Sequence, residues 1–352
     1  MHYIIRLFFV SFLFLLNLSC SDDSDKNDNG SKPEKDFYLG ADISWITEME
    51  SEGHRFHDTE GREQDCYVLL KSYGINVVRL RVWVNPDKHG GWCDTEDVIA
   101  KALRAEAQGM DVMVDFHYSD WWADPGKQNI PEVWREHSYE ELKNDVAVHT
   151  RYVLKKLKDN GIMPLWVQVG NETSNGFLWP VGKADINPQQ YAGLFTAGYN
   201  AVKEVLPDAD VIVHLDNGAD GGLYDWNLGL LKKYGARWDI IGMSVYPYWS
   251  MKSGKYQSAD DVLQRSADNM RRLGKKYQCN VMVVETGMEC ADDKGNLADV
   301  RTLTESKRQL SRLIDLCKNS TEGYCKGVFY WEPECTPACI VLVPSPPTES
   351  LQ

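Results

Sequence analysis

The feature that most constrains the fold is a repeated alternation of short apolar runs and longer amphipathic stretches. The first helical stretch, at 63–73, stops at Gly74, and Ser138 and Glu141 have the spacing of a capping box at the start of a long one. Continuous runs of Val, Ile and aromatic residues are typical of parallel strands buried on both faces. Repeated strand–helix units therefore predict a closed (β/α)8 barrel, the TIM barrel fold. The eight apolar runs lie at 38–44, 76–84, 111–118, 164–170, 210–215, 239–246, 280–285 and 327–331.

Residues 37–334 contain no internal linker, so we predict that they form a single domain. The chain has 352 residues, of which 43% are hydrophobic, and this supplies enough apolar surface for one barrel. Its formal net charge of −14 argues against nucleic acid or an anionic membrane as a partner, because both are bound by basic faces. A neutral sugar chain is compatible with that charge. The 12 Trp and 17 Tyr residues would supply aromatic faces for it, although we expect most of them in the core.

The first 36 residues differ in composition from the rest of the chain. A positively charged start precedes an apolar run at 7–18, which is too short to cross a bilayer and is typical of a signal peptide. The run leads into Leu18-Ser19-Cys20, which is similar to a bacterial lipoprotein cleavage site and predicts a lipoprotein signal peptide at 1–20 with Cys20 lipidated. An ordinary secretory signal is the alternative. Residues 21–36 are acidic and lack large apolar side chains, which predicts a disordered tether.

Polar side chains follow the apolar runs at the points where each predicted strand ends. The active sites of such barrels lie at the carboxyl ends of the strands. Glu172 follows the fourth run and Glu285 ends the seventh. A buried carboxylate is costly unless it is paired or functional, and a single Glu of this kind would be as readily explained by a structural salt bridge. Two of them together indicate the acid/base and nucleophile pair of a glycosidase.

These strand ends resemble those of glycoside hydrolase family 53, the endo-β-1,4-galactanases. The resemblance covers roughly residues 37–334 and implies endo-acting hydrolysis of β-1,4-galactosidic bonds in galactan or type I arabinogalactan, with retained anomeric configuration. The ordered motifs that carry it are GADIS (40–44), GINVVRLRVWVNP (74–86), DFHYSDWWADP (115–125), VGNE (169–172), FLWPVGK (177–183), HLDNG (214–218), SVYPYW (244–249), VVETG (283–287) and FYWEP (329–333).

Carried over position by position, the resemblance implies that Glu172 is the acid/base and Glu285 the nucleophile. A retaining enzyme places two such carboxyls about 5–5.5 Å apart. Asn171 would bind the 2-hydroxyl of the sugar at the cleavage point. Arg79 and Tyr246 would hydrogen-bond Glu285 and keep it ionised.

Further positions are implied less specifically. Arg81 lies on the same strand face as Arg79 and is the alternative arginine. His117 would lie in the network near the carboxylates, and Trp331 would form the apolar floor beneath the sugar. The remaining candidates for the cleft are Trp83, Asp120, Trp122, Trp179, His214 and Asp216.

The resemblance implies no cofactor for catalysis. Some bacterial relatives hold a structural Ca²⁺ near the last two loops, and Asp292, Asp293, Asn296 and Asp299 are the candidate oxygen ligands here, although a solvated acidic loop is the favoured interpretation. The cysteines show no zinc spacing, and their pairing cannot be deduced from sequence. We expect a monomer that is exported and lipid-anchored at the bacterial outer membrane surface. The alternative is a secreted or periplasmic protein.

The end of the chain departs from the family pattern. Residues 335–352 are short and rich in proline, which is incompatible with the helix that normally closes such a barrel. We interpret them as an atypical tail produced by truncation or a frameshift, with the final helix missing.

Two other functions remain as alternatives. One is a retaining barrel enzyme that acts on another β-1,4-glycan, mannan or glucan. The other is a non-catalytic surface lipoprotein that binds glycans, which the presence of both glutamates disfavours.

Overall fold

The computed structural model describes residues 37–289 and 299–335. Eight parallel strands form a closed barrel in which each strand pairs with the next along the chain and β8 pairs with β1. The predicted (β/α)8 barrel is therefore confirmed, with strand ends within two residues of those expected. The strands are β1 (Tyr38–Asp42), β2 (Val77–Val82), β3 (Asp111–Phe116), β4 (Trp166–Val169), β5 (Asp210–Leu215), β6 (Ile240–Val245), β7 (Asn280–Thr286) and β8 (Cys325–Trp331).

Helices alternate with these strands and cover the outside of the barrel. Ser138 and Glu141 form the predicted capping box at the start of the longest helix. The helix expected at 63–73 begins only at Cys66, because Glu63–Gln64 pairs with Phe56–His57 in a small antiparallel hairpin. The helices are α1 (Ile46–Ser51), α2 (Cys66–Ser72), α3 (Thr95–Ala107), α4 (Tyr139–Asp159), α5 (Pro188–Val205), α6 (Gly221–Lys233), α7 (Pro247–Lys252), α8 (Ala259–Tyr277) and α9 (Val300–Asn319).

The side chains inside the barrel form two layers of different chemistry. Outward-facing residues such as Val78, Leu80 and Val82 pack against the helices. The lower inward layer is apolar and takes at least one side chain from every strand: Tyr38, Val77, Met113, Trp166, Ile212, Ile240, Met282, Val284 and Phe329. In β2 to β6, the next inward-facing position, two residues after the apolar one, is polar or Gly: Arg79, Asp115, Gln168, His214 and Gly242. Ser244 is the inward-facing residue after Gly242 in β6. The apolar layer closes the barrel beneath a polar site.

An irregularity in β7 determines which way Glu285 points. Met243 pairs with Val283, whereas the next residue, Ser244, pairs with Glu285, so the register shifts by one residue at Val284. Successive residues of a regular strand point to opposite faces, and Val284 points into the barrel. Without this bulge, Glu285 would therefore point outwards. The extra residue instead brings Glu285 level with Ser244, on the interior side.

Several predictions fall outside the described residues. The signal peptide at 1–20, the tether at 21–36, the tail at 336–352 and three of the four candidate calcium ligands lie there. The fourth, Asp299, caps α9 by accepting a hydrogen bond from the Thr302 backbone N–H at 2.9 Å. Among the described residues, no helix is long and apolar enough to cross a membrane. The six cysteines in this part of the chain are free thiols.

Candidate active site

Arg79 is the central cation of the site. The residue is 1% exposed, and its Nη1 lies 2.7 Å from Asp42 Oδ2 and 3.1 Å from Glu285 Oε2. Its Nη2 lies 2.9 Å from Asp115 Oδ2 and donates to Asn171 Oδ1 at 2.8 Å. Burial alone would lower the pKa of Arg79, but the carboxylates of Asp115, Glu285 and Asp42 raise it overall. The guanidinium is therefore charged throughout the pH range in which the enzyme would work, and three carboxylates pair with it.

Glu285 is fixed from two sides. Tyr246, directly after β6, donates its hydroxyl proton to Glu285 Oε1 at 2.8 Å, while Arg79 contacts Oε2. The carboxyl is buried, with 8% of the residue exposed. Both neighbours stabilise its ionised form.

Glu172 lies in the turn that follows β4, in a backbone conformation that non-glycine residues rarely adopt. Its φ is +45°, in the left-handed region. The backbone N–H of Glu172 donates to His214 Nδ1 at 3.2 Å, and Gln128 Nε2 donates to the Asn171 carbonyl at 2.8 Å. These bonds hold the turn, so the side chain is presented at the mouth of the barrel rather than along the strand.

The two carboxyls differ in their electrostatic surroundings. Burial raises the pKa of Glu172, and the negative charges of Glu285 and Asp216 raise it further, so that it lies well above its usual range. Burial also raises the pKa of Glu285, but Arg79 and Tyr246 oppose that rise. On titration the pair therefore loses its first proton from Glu285, while Glu172 retains its own. One neutral acid and one carboxylate are the two forms that a retaining glycosidase needs.

His117 and Asn171 support the same centre. His117 Nε2 lies 3.0 Å from Asp115 Oδ2, and its Nδ1 accepts the Ala123 backbone N–H at 3.2 Å. Burial lowers the pKa of His117, so the neutral ring donates from Nε2. Asn171 donates one amide N–H to the Ala123 carbonyl at 2.8 Å, and its second amide N–H has no acceptor in the described part of the chain. That second N–H is available to a ligand hydroxyl.

Two adjoining cavities meet at the carboxyl pair, and Glu172, Glu285 and Trp331 line both of them. The first cavity extends along Arg79, His117 and Trp122, and the second along Asp216, Tyr246 and Trp249. The Trp331 and Trp122 rings meet edge to face with centroids 6.1 Å apart. An elongated ligand would therefore pass over the two glutamates with aromatic faces on each side.

Arg81 occupies a different environment from Arg79. It pairs with Glu332 at 2.7 Å, and its guanidinium lies 3.9 Å from the centre of the Trp122 ring. Burial raises the pKa of Glu332 to about 7, against the opposing effect of Arg81. Of the two arginines, Arg79 is thus the one that contacts Glu285, while Arg81 supports a wall of the cleft.

Four of the weaker sequence candidates do not line the cleft cavities. Trp83 is 1% exposed and packs against Trp122, and His214 is fully buried beneath Glu172. Asp120 holds a loop by accepting the backbone N–H groups of Asn85 and Glu132, at 3.1 and 2.8 Å. The Trp179 ring donates to the Asn175 carbonyl at 2.9 Å and is absent from both cavities. Trp122 and Asp216 do line the cleft.

Sequence reasoning also missed residues that the structure places at the site. Asp115 and Gln168 are inward-facing polar residues in otherwise apolar strands, and strand parity would have marked them. Asp42 and Asp115 belong to the motifs GADIS and DFHYSDWWADP but were given no role. Trp249, in the motif SVYPYW, is 62% exposed and lines the second cavity. Its position shortly after β6, at the end of the barrel that carries the active site, is the sequence signal that would have identified it.

A closed (β/α)8 barrel with two buried carboxyls at its carboxyl end, one beside an arginine and one inclined to keep its proton, defines a glycoside hydrolase. Comparison with known families specifies which one. The family model described as Glycosyl hydrolase family 53 matches residues 38–344. The chain belongs to this family, and the resemblance inferred from the strand-end motifs is confirmed.

Individual relatives agree with this assignment. The chain is 36% identical over 320 residues to an endo-β-1,4-galactanase of Bacillus subtilis, covering 86% of this chain and 71% of the relative. It is 34% identical over 307 residues to an arabinogalactan endo-β-1,4-galactanase of Thermothelomyces thermophilus, covering 84% and 89%. The solved catalytic domain of a family 53 enzyme from Ignisphaera aggregans superposes with a TM-score of 0.76 at 32% identity, covering 86% of this chain and 87% of that one.

Proposed function

We propose that this protein hydrolyses internal β-1,4-galactosidic bonds of galactan and type I arabinogalactan. Relatives that are at least 34% identical over most of this chain are named as galactanases. The observation that carries the proposal is the arrangement of Arg79, Tyr246 and Glu285, which lies in the same cleft as Glu172, a carboxyl whose pKa is raised by burial and by neighbouring carboxylates. The cleft continues on both sides of the carboxyl pair, which suits a chain bound at its middle rather than at its end.

The first chemical step breaks the glycosidic bond. Glu172 donates its proton to the glycosidic oxygen as the bond from that oxygen to the anomeric carbon breaks. Glu285 attacks the same carbon from the opposite face and forms a glycosyl-enzyme ester. Arg79 and Tyr246 hold the two Glu285 oxygens, so the attacking carboxylate is ionised and oriented before substrate arrives.

The second step releases the sugar. Glu172, now a carboxylate, takes a proton from a water molecule that attacks the anomeric carbon and displaces Glu285. Two displacements on opposite faces retain the anomeric configuration. The free N–H of Asn171 is placed to bind the sugar 2-hydroxyl, a contact that strengthens in the transition state of such enzymes. The mechanism uses two carboxyls and water, with no cofactor. For the acidic loop, a solvated segment stays the prediction and a structural Ca²⁺ the alternative.

The first experiment measures reducing ends released from linear β-1,4-galactan, with β-mannan and cellulose as parallel substrates. We expect activity on galactan alone, with products of mixed length early in the reaction. Release from mannan or cellulose instead would assign the enzyme to a different β-1,4-glycan. Folded protein without activity on any of the three would leave a glycan-binding role.

We also propose that the protein is exported and lipid-anchored at the cell surface. The apolar run at 7–18, the Leu-Ser-Cys sequence ending at Cys20 and the acidic segment at 21–36 support this, as does a polymeric substrate. Metabolic labelling with a fatty acid tests it. We expect label in the full chain and none in Cys20→Ala, and surface protease treatment distinguishes display from periplasmic retention.

A further inference from the structure

His214 and Ser244 form a buried contact directly behind Glu172. They belong to the neighbouring strands β5 and β6 and are 0% and 1% exposed. His214 Nδ1 accepts the Glu172 backbone N–H at 3.2 Å and lies 2.9 Å from Gln168 Nε2. Gln168 Nε2 also contacts the Asp115 carboxylate, which accepts hydrogen bonds only, so this nitrogen is the amide donor. Nδ1 also lies 3.2 Å from Asn171 Oδ1, but that oxygen already accepts from Arg79 Nη2 at 2.8 Å. Because two N–H groups are directed at Nδ1, it carries no proton, and the proton of the neutral ring is on Nε2.

This tautomer determines the direction of the next hydrogen bond. His214 Nε2 lies 2.8 Å from Ser244 Oγ and donates to it. A serine hydroxyl has one proton and two acceptor sites. Because one acceptor site is taken by His214, the hydroxyl proton is free to point towards Glu172, and the Ser244 hydroxyl lowers the pKa of the Glu172 carboxyl. Ser244 and Glu172 also line the same cavity, on the side of Asp216.

We propose that Ser244, oriented by His214, is a positioning residue for the acid/base Glu172. This inference rests on the proposed function and adds a residue to its machinery. A hydroxyl bonds a carboxylate more strongly than a carboxylic acid. Ser244 therefore holds Glu172 in place as it gives up its proton to the leaving group, and keeps the resulting carboxylate aimed at water in the second step.

The sign of the expected pH effect follows from the groups that face Glu172. Glu285 from β7 and Asp216 after β5 raise the pKa of Glu172, while Ser244 from β6 and Arg79 from β2 lower it. Tyr246 is close enough for the Glu172 charge to raise the pKa of its hydroxyl. Removing the Ser244 hydroxyl deletes one of the two groups that stabilise the ionised form of Glu172. The pKa of Glu172 then rises, and the alkaline limb of the pH profile moves to higher pH.

The test compares Ser244→Ala with Ser244→Thr, which keeps the hydroxyl. Ser266→Ala is the matched control, because Ser266 is equally buried and its hydroxyl donates to the Val262 carbonyl inside α8, outside the site. The first readout is the ¹³C titration of the Glu172 carboxyl in protein labelled at Glu, assigned with Glu172→Gln. The second is the pH profile of kcat/KM on galactan, and thermal melting checks the fold of each variant.

In Ser244→Ala we expect the Glu172 titration and the alkaline limb to rise by about half to one pH unit. We expect kcat/KM on galactan to fall about tenfold, with less loss on a nitrophenyl galactobioside, whose leaving group needs little protonation. Ser244→Thr should recover most of both effects. An unmoved titration in folded Ser244→Ala would overturn the proposal. If the parent protein does not cleave galactan, the proposed function fails, while the titration still decides what Ser244 does to Glu172.

Discussion

The two carboxyls of the site are the same residue type at the ends of two strands, yet they are built differently. Glu285 follows a bulge, lies beside a buried arginine and accepts a tyrosine hydroxyl. Glu172 has a left-handed backbone conformation in the turn after β4, faces Asp216 and has a neutral serine and histidine behind it. Burial raises the pKa of both, and the neighbours then separate them. The division of labour thus comes from what surrounds each glutamate rather than from the glutamate itself.

The largest expected effect comes from removing each carboxyl in turn. Glu285→Gly should lower kcat on galactan by about 10⁴-fold or more. Glu172→Gly should lower it by about 10²- to 10⁴-fold. Azide added with a nitrophenyl β-galactobioside identifies the roles. It should give the α-galactosyl azide with Glu285→Gly, by direct attack, and the β-azide with Glu172→Gly, by attack on the glycosyl-enzyme. Exchange of these two products would reverse our assignment.

Arg79→Met tests whether the cation is what distinguishes Glu285. It leaves three carboxylates without their shared partner, and breaking a buried ion pair in this way costs about 3–5 kcal/mol of unfolding free energy. Because Arg79 lowers the pKa of Glu285, its loss should move the acidic limb of kcat/KM to higher pH. Denaturant unfolding and a pH profile measure the two effects. Arg81→Met is the control. It should destabilise the protein while leaving the acidic limb in place, since Arg81 pairs with Glu332.

Tyr246→Phe removes one neutral hydrogen bond from Glu285 and keeps the ring. The acidic limb should rise by about half to one pH unit, since the Tyr246 hydroxyl also lowers the pKa of Glu285. Steady-state kinetics across pH measure this shift. A move of the alkaline limb instead would show that the hydroxyl acts mainly on Glu172.

The smallest effect is expected at the cleft wall. Trp249→Ala should raise KM for galactan about three- to tenfold, as expected for the loss of one aromatic contact. Stability should be unchanged, because the residue is 62% exposed. Trp226→Ala is a suitable comparison, since this tryptophan is also exposed, at 40%, but belongs to α6. Equal KM values for the two variants would remove Trp249 from the binding surface.

The sequence was sufficient to predict the fold and the position of both glutamates at the ends of their strands, because strand periodicity and the ends of strands are local features. Strand parity alone could not decide between Arg79 and Arg81, which share a strand face, and the family resemblance favoured Arg79. That choice depends on the pairing of β2 with β1, which sets Arg79 level with Asp42. His214 was a candidate for the cleft through the motif HLDNG, whereas the structure has it fully buried. The His214–Ser244 contact likewise depends on how β5 and β6 pair, and the sequence of either strand alone does not determine that pairing.

The bulge in β7 has a consequence for how catalytic competence is inherited. Because Glu285 faces inward only through the extra residue at Val284, activity depends on the length of this strand as well as on the identity of its glutamate. A descendant that lost one residue here would keep every glutamate, arginine and tryptophan of the cleft. Its nucleophile would turn towards the helices. Such a chain would match its active ancestors at every other residue of the cleft. It would bind the sugar chain without hydrolysing it.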